Sequence, residues 1–401
     1  MPLSATDTSW QMGKGFNLSE AKALIEICTA LDYGADVPPD YAAVAKPQNA
    51  AGWEEIYPVQ ERLPGNALPT PIGPYANAWK LYHKTGSDIY VIAIRGTIDT
   101  KGSIAADLIA TSTPAFVQIQ ARQSPYRKVA FTLAETPRAE THLGWTYAMA
   151  ELMFDKDNGI LRVLRNAHYV PPGSRLLVTG HSQGAAIATL THAFLHYAIA
   201  DPTDQFGLHR SGFTLKSYVF AQPKPGNWQF AMDFARIAGA KGTAFVINNN
   251  WDWVPQTPLS MEYFDEPGAD IAAVLHDLPG WRGVVNTAMA GTAIGMAQGS
   301  RTLIALKVAD AAVKKVEDHN NFDERYLVDG LVPDSAKRAY SINYAVAGEQ
   351  VPVFGSALPV GTIKDDGVMT QHHGPTYRTL IEAPPSQGGL TTPADLVVSS
   401  R

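Results

Sequence analysis

The spacing of apolar positions changes rhythm several times along the chain. Asn17 and Glu20 form a capping box, and Leu18, Ala21, Ile25, Cys28 and Leu31 follow at helical intervals. This pattern predicts an amphipathic helix that ends before Gly34 and Pro38–Pro39. Residues 35–75 are rich in Pro, Gly and Ala and read as a mostly irregular arm. Trp79–His83 and Ile89–Ile94 are short β-type runs on either side of the turn-like KTGSD. Helical patterns follow near 103–110 and 145–165. Strands at 175–179, 216–221 and 243–248 then alternate with helices at 183–199 and 227–239. Apolar strands alternating with helices predict a mostly parallel central sheet flanked by helices on both faces, an α/β fold.

The remaining pattern sets the domain organisation. Residues 268–335 turn helical, with Ala, Met and Gly prominent, and read as a helical cap insertion or a plain second helical layer. Strand character returns over 340–354, and Pro375 opens a last short helix. The expected organisation is an N-terminal helix and extended arm over 1–75 and a core of 76–267 and 336–384. The insertion at 268–335 is a lid or cap candidate, and a tail follows over 385–401.

Composition narrows the function classes. The chain has 401 residues, 45% apolar and 17% charged, which is a globular balance. A formal charge of −6, with no Lys/Arg-rich run, leaves no electrostatic footprint for nucleic acid. Cys28 is the only cysteine, so no intrachain disulfide can form and no thiolate cluster can hold zinc. The N-terminal residues lack a basic stretch followed by an apolar core, so no signal peptide is visible. The reading is therefore a soluble protein, cytoplasmic or secreted in a mature form. Residues 283–300 are uncharged but diluted by Gly, Asn, Thr, Ser and Gln, and read as soluble helices rather than a transmembrane segment. Oligomeric state is not encoded in any of these features.

The chemistry centres on LLVTGHSQGAAIATL, residues 176–190, which carry an apolar strand into Gly-x-Ser-x-Gly and on into a helix. A five-letter match is weak evidence, and a βα turn with a capping serine would look the same. The context is more specific, because a nucleophilic serine needs a buried strand before it, a sharp turn under it and glycines where strand and helix approach. Five further segments stand around it: IAIRGT (92–97), SIAADL (103–108), THLGW (141–145), FAQPKPGNWQFA (220–231) and VINNNWDWVPQTP (246–258). In this order, over about residues 80–260, the set resembles the class 3 lipase family, the fungal-lipase-like branch of the α/β-hydrolases. The chain departs from the family pattern at Gln183-Gly184-Ala185, where Leu-Gly-Gly is usual, and at Lys224, where an arginine is common.

The resemblance implies roles for individual residues. Ser182 would be the nucleophile, and in α/β-hydrolases its acid and base follow it in the chain. Asp252, just past a β run, stands where the family places the triad acid; an Asx turn before Pro255 is its bland alternative. Asp265 and Asp270 are weaker choices. Three histidines compete as the base: His372, then His373, then His319, with His276 remote. The family carries its catalytic histidine in a loop before a tyrosine and a terminal helix, and the spacing from His372 to Tyr377 suits that pattern best. The elbow geometry makes the Gln183 N–H one oxyanion donor, and the resemblance places the second at Thr97, with Asp107 ordering the loop that carries it. His142 and His181 read as packing or loop-anchoring residues. Trp251 and Trp253 line a pocket or pack the core.

The expected function is a lipase or carboxylic-ester hydrolase cleaving acylglycerol-type esters through a Ser-His-Asp triad, with no metal and no organic cofactor. A lipid or ester substrate, met at a lipid–water interface, would be the partner. A phospholipase A1 or short-chain esterase uses the same groups, and a catalytically silent lipid-binding module could keep the fold.

Overall fold

A computed structural model describes residues 13–33, 52–57, 77–96, 112–119, 129–155, 157–258, 344–355 and 370–383. The expectations for 103–110, 268–335 and 385–401 lie outside these residues, as do Thr97, Asp107, Asp265, Asp270, His276 and His319.

The described chain has α1 (Leu18–Tyr33) as its first element, started by the Asn17 side chain, which accepts from Glu20 N at 3.0 Å. The strands that follow are β1 (Trp53–Tyr57), β2 (Trp79–Lys84) and β3 (Ile89–Ile94), then β4 (Ser112–Pro114), β5 (Phe116–Ile119), β6 (Val129–Thr132) and β7 (Glu140–His142). Helices α2 (Leu143–Phe154) and α3 (Ile160–Leu164) precede β8 (Arg175–His181), which runs into α4 (Gln183–Ala200). Next come β9 (Thr214–Phe220), β10 (Gly226–Asn227), α5 (Trp228–Ile237) and β11 (Ala244–Asn249). The described chain closes with β12 (Tyr344–Ala345), β13 (Glu349–Val353) and α6 (Gly374–Glu382).

Among the described residues, seven strands form the main sheet in the order β1-β2-β3-β8-β9-β11-β13. The pairs from β3 to β13 are parallel, and the β1–β2 and β2–β3 pairs are antiparallel. Alternating residues of each strand serve opposite faces. Ile89, Val91 and Ala93 join one apolar cluster with α1 and α6, while Tyr90, Ile92 and Ile94 join the other with α2, α4 and α5. Burial on both faces is why these strands read as continuous apolar runs. This is the α/β-hydrolase fold. The described chain leaves the sheet after β11 and returns to it at β13, its parallel neighbour, so residues 259–343 intervene between two adjacent strands.

Several local expectations change. Residues 53–57 lie in the stretch read as irregular but pair with β2 as an edge strand; Glu54 and Glu55, both exposed, hide the β pattern. Leu18 is 43% exposed, and Leu24 is buried in its place on the α1 stripe. The helical run 145–165 is two helices, broken where Gly159 packs its Cα against the Asp155 carbonyl. The run 340–354 divides between two sheets, since β12 pairs with β10 in a small antiparallel sheet, β12-β10-β7-β4. That sheet is tied by Asn227, whose Oδ1 accepts from Phe230 N and Glu140 N, both at 3.0 Å, while Nδ2 donates to Arg138 O. Among the described residues no helix is long and apolar enough to cross a membrane.

Candidate active site

Parallel sheets expose their functional loops at the carboxyl ends of the strands. Ser182 follows β8 immediately, between that strand and α4, with φ 58° and ψ −133°. A non-glycine residue held there carries backbone strain of about 1–3 kcal/mol, which the surroundings must enforce. The Ser182 N–H donates to Phe220 O at 3.0 Å, pinning the turn to β9. A Cβ on Gly180 would lie 2.2 Å from Gly184 O, and one on Gly184 would lie 2.4 Å from Ile94 O. Both approaches are to backbone, so the two glycines of the motif are required by contact as well as by bending.

Asp252 follows β11 and is 2% exposed. Its Oδ1 accepts from Val254 N at 3.0 Å, an Asx-type turn, and its Oδ2 accepts from His372 Nδ1 at 2.9 Å. The turn and the charge partner are thus functions of one carboxylate, one per oxygen. His372 lies just ahead of α6, and its Nε2 is 2.8 Å from Ser182 Oγ. Because Asp252 can only accept, neutral His372 carries its proton on Nδ1 and leaves Nε2 to accept from the serine hydroxyl. Burial lowers the His372 pKa from the ordinary 6.5; the Asp252 charge and hydrogen bond oppose this, and the charges of His181 and His373 add to it.

His372 and Asp252 are 120 positions apart and meet because their loops follow β13 and β11, adjacent parallel strands. His373 instead occupies the N-cap position of α6, its carbonyl accepting from Tyr377 N at 3.2 Å. Gln183 is the first residue of α4, directly after the serine, and is buried. The positive end of that 18-residue helix lies behind Ser182, where it favours negative charge.

Other residues take roles that the sequence did not show. The Tyr377 hydroxyl donates to Asp252 Oδ2 at 2.8 Å and accepts from Asn249 N at 3.0 Å. Asn249 Nδ2 donates to Gln371 O and Oε1, tying the end of β11 to the residue before His372. In the sequence Tyr377 served only as a spacing mark. His142 is fully buried, caps α2 through a 3.4 Å bond from Trp145 N, and stacks on the Trp145 ring. Trp251 and Trp253 are 58% and 42% exposed, so neither packs the core.

The sequence model of the family described as lipase (class 3) matches residues 91–262. The matched segment, under half of the chain, holds Ser182 and Asp252, while His372 lies beyond it. The chain is similar to the secreted mono- and diacylglycerol lipase MDL4 of Malassezia globosa, 32% identical over 31% of this chain and 35% of that protein. It is also similar to the secreted mono- and diacylglycerol lipase LIP4 of Malassezia restricta, 35% identical over 24% of this chain and 28% of that protein. The chain thus spans about a third of the length of the curated relatives it matches. Among solved structures, the triacylglyceride lipase of Rhizomucor miehei aligns with 60% of this chain and 74% of its own, at 17% identity and a TM-score of 0.37.

Proposed function

We propose that this protein is a serine ester hydrolase of lipase type, acting on acylglycerol esters through an acyl-enzyme. The observation that carries the reading is the unbroken hydrogen-bond chain Ser182 Oγ, His372 Nε2, His372 Nδ1, Asp252 Oδ2, at 2.8 and 2.9 Å, on a strained strand-to-helix turn. Ser182 Oγ attacks the ester carbonyl while its proton passes to His372 Nε2. His372 returns that proton to the leaving alcohol, and the C–O bond to the alcohol breaks. Water then enters, gives a proton to His372 and releases the carboxylic acid, restoring the serine. Asp252 keeps its charge throughout and stabilises the imidazolium. The oxyanion donors in this reading are the Gln183 N–H and, from the family resemblance, Thr97, with Asp107 in support.

The Malassezia relatives are named for mono- and diacylglycerol substrates and for secretion, which favours acylglycerols over phospholipids and an extracellular site of action for this chain. Exposed Trp251 and Trp253 beside the acid-bearing loop suit contact with a lipid surface. A silent lipid-binding module has no use for an intact proton relay, and nothing else in the site favours it. The core division at 76–267 and 336–384, with 268–335 as its insertion, is part of the same proposal.

Hydrolysis of p-nitrophenyl esters from acetate to palmitate, with and without dispersed lipid, tests it. The proposal expects activity that grows with chain length and falls to background in Ser182→Ala. A preference for acetate points to a short-chain esterase, and equal inertness of both proteins removes the hydrolase reading.

A further inference from the structure

Beneath the serine lies a second, partly buried charge pair that the ester mechanism does not use. Asp32, near the C-terminal end of α1, is 3.0 Å through Oδ2 from His181 Nδ1. Its other oxygen, Oδ1, accepts from Gly96 N at 2.8 Å. On its far side His181 Nε2 meets the main-chain carbonyl of His372 at 2.7 Å. The His181 and His372 rings sit 4.9 Å apart between centroids, and the Tyr377 ring meets His181 edge-on. Three loops of the site are joined by this one pair: the end of β3, which leads to Thr97, the elbow that carries Ser182, and the loop that carries His372.

The chemistry of the two contacts fixes the state of the ring. A carboxylate and a carbonyl oxygen are both acceptors, so both His181 nitrogens must carry protons to satisfy them. A neutral imidazole would leave one buried acceptor facing another, at a cost of about 1–3 kcal/mol. We propose that Asp32 and His181, as a carboxylate–imidazolium pair, are positioning residues for the ester cleavage, holding the His372 backbone and the β3 end in register with Ser182. The proposal rests on the hydrolase reading above. His181 is not a proton carrier in this proposal, because both of its N–H groups are engaged, one by Asp32 and one by the His372 carbonyl.

Electrostatics agree with the geometry. Burial alone would lower the His181 pKa; the hydrogen bond and charge of Asp32, the His372 carbonyl and the charge of Asp252 outweigh it and raise the value above 6.5. Arg95, next to Gly96, acts on Asp32 from the β3 side. The imidazolium in turn pushes the His372 pKa down, as does His373. The pair therefore has two separable effects on the base, one on its place and one on its pKa.

The test compares wild type, Asp32→Ala, Asp32→Asn and His181→Gln on p-nitrophenyl butyrate, with Ser182→Ala as baseline. Asp32→Ala should lower kcat by about 10- to 100-fold, with KM within about twofold, because misplacement of the base and oxyanion strand acts on the reacting geometry. Asp32→Asn can accept from Gly96 N and donate to a neutral His181 Nδ1 while Nε2–H still reaches the carbonyl, so it should recover most of that loss. His181→Gln removes the cation facing His372 and should shift the acid limb of the kcat/KM profile to higher pH. Nitrogen-15 NMR of the wild-type imidazoles should show His181 doubly protonated at pH 7, where a free imidazole is about three-quarters neutral. A folded Asp32→Ala with kcat within about twofold of wild type, an unmoved acid limb in His181→Gln, or a neutral His181 at pH 7 would each overturn the proposal. Should Asp32→Ala fail to fold, the wild-type NMR and the His181→Gln profile decide. If wild type is as inert as Ser182→Ala the hydrolase reading has failed, whereas the NMR result still reports on the pair itself.

Discussion

Tyr377 donates its hydroxyl to Asp252 Oδ2, the same oxygen that accepts from His372 Nδ1. The tyrosine comes from α6, one turn after the histidine, so the final helix and the residues just ahead of it hold His372 and Asp252 together. Burial raises the Tyr377 pKa far above its ordinary 10, and the Asp252 charge raises it further, which keeps the hydroxyl a donor at any working pH. Tyr377→Phe removes one of the three hydrogen bonds that described residues make to the carboxylate and leaves the ring in place. Steady-state kinetics should show kcat lower by roughly 10-fold, about 1.4 kcal/mol, with little change in KM.

In the proposed mechanism His372 must be neutral to accept the serine proton, and burial is the main cause that lowers its pKa from the ordinary 6.5. Activity rises with pH as a base loses its proton, so the acid limb of kcat/KM should have its midpoint below 6.5. A midpoint at or above that value would show that the Asp252 charge outweighs burial.

Strain at the elbow makes an unusual stability order. At an ordinary position glycine is less stable than alanine by about 0.5–1 kcal/mol. At Ser182, with φ 58°, alanine keeps the strain and glycine relieves it. Both variants lose the hydroxyl and its activity. Thermal unfolding should place Ser182→Gly above Ser182→Ala, and the reverse order would mean the turn is not strained.

The helix α1 is anchored to the sheet by a fully buried ion pair, Lys216 Nζ to Glu20 Oε2 at 2.7 Å, with Tyr218 OH on the same oxygen at 2.6 Å. Lys216→Met leaves the Glu20 charge uncompensated and should cost about 3–5 kcal/mol in chemical denaturation. Adding Glu20→Gln, which still accepts from Tyr218, should restore most of that stability.

Much of this fold can be read along the chain because the strands are buried on both faces and their helices alternate with them. Ser182 stands out for the same reason: its strand, turn and helix are consecutive, and Gly180 and Gly184 are demanded by local contacts. The choice among His372, His373 and His319 is of another kind. It depends on β11 and β13 being neighbours, which no local pattern encodes, and on one residue of register at the start of α6. The Asp32–His181 pair spans 149 positions, and along the sequence His181 reads only as a packing or loop-anchoring residue. The small sheet is built from strands of two or three residues, too short for any period to show.

The central claim is that Ser182 forms a covalent acyl-enzyme with His372 as its base. Mass spectrometry after treatment with an alkyl p-nitrophenyl phosphonate tests this most directly, because the phosphonate stops at the covalent stage. The account predicts one adduct per chain, on the peptide that carries Ser182, formed far more slowly in His372→Ala and absent in Ser182→Ala. An adduct on another residue, or ester hydrolysis that persists unchanged in Ser182→Ala, would contradict it.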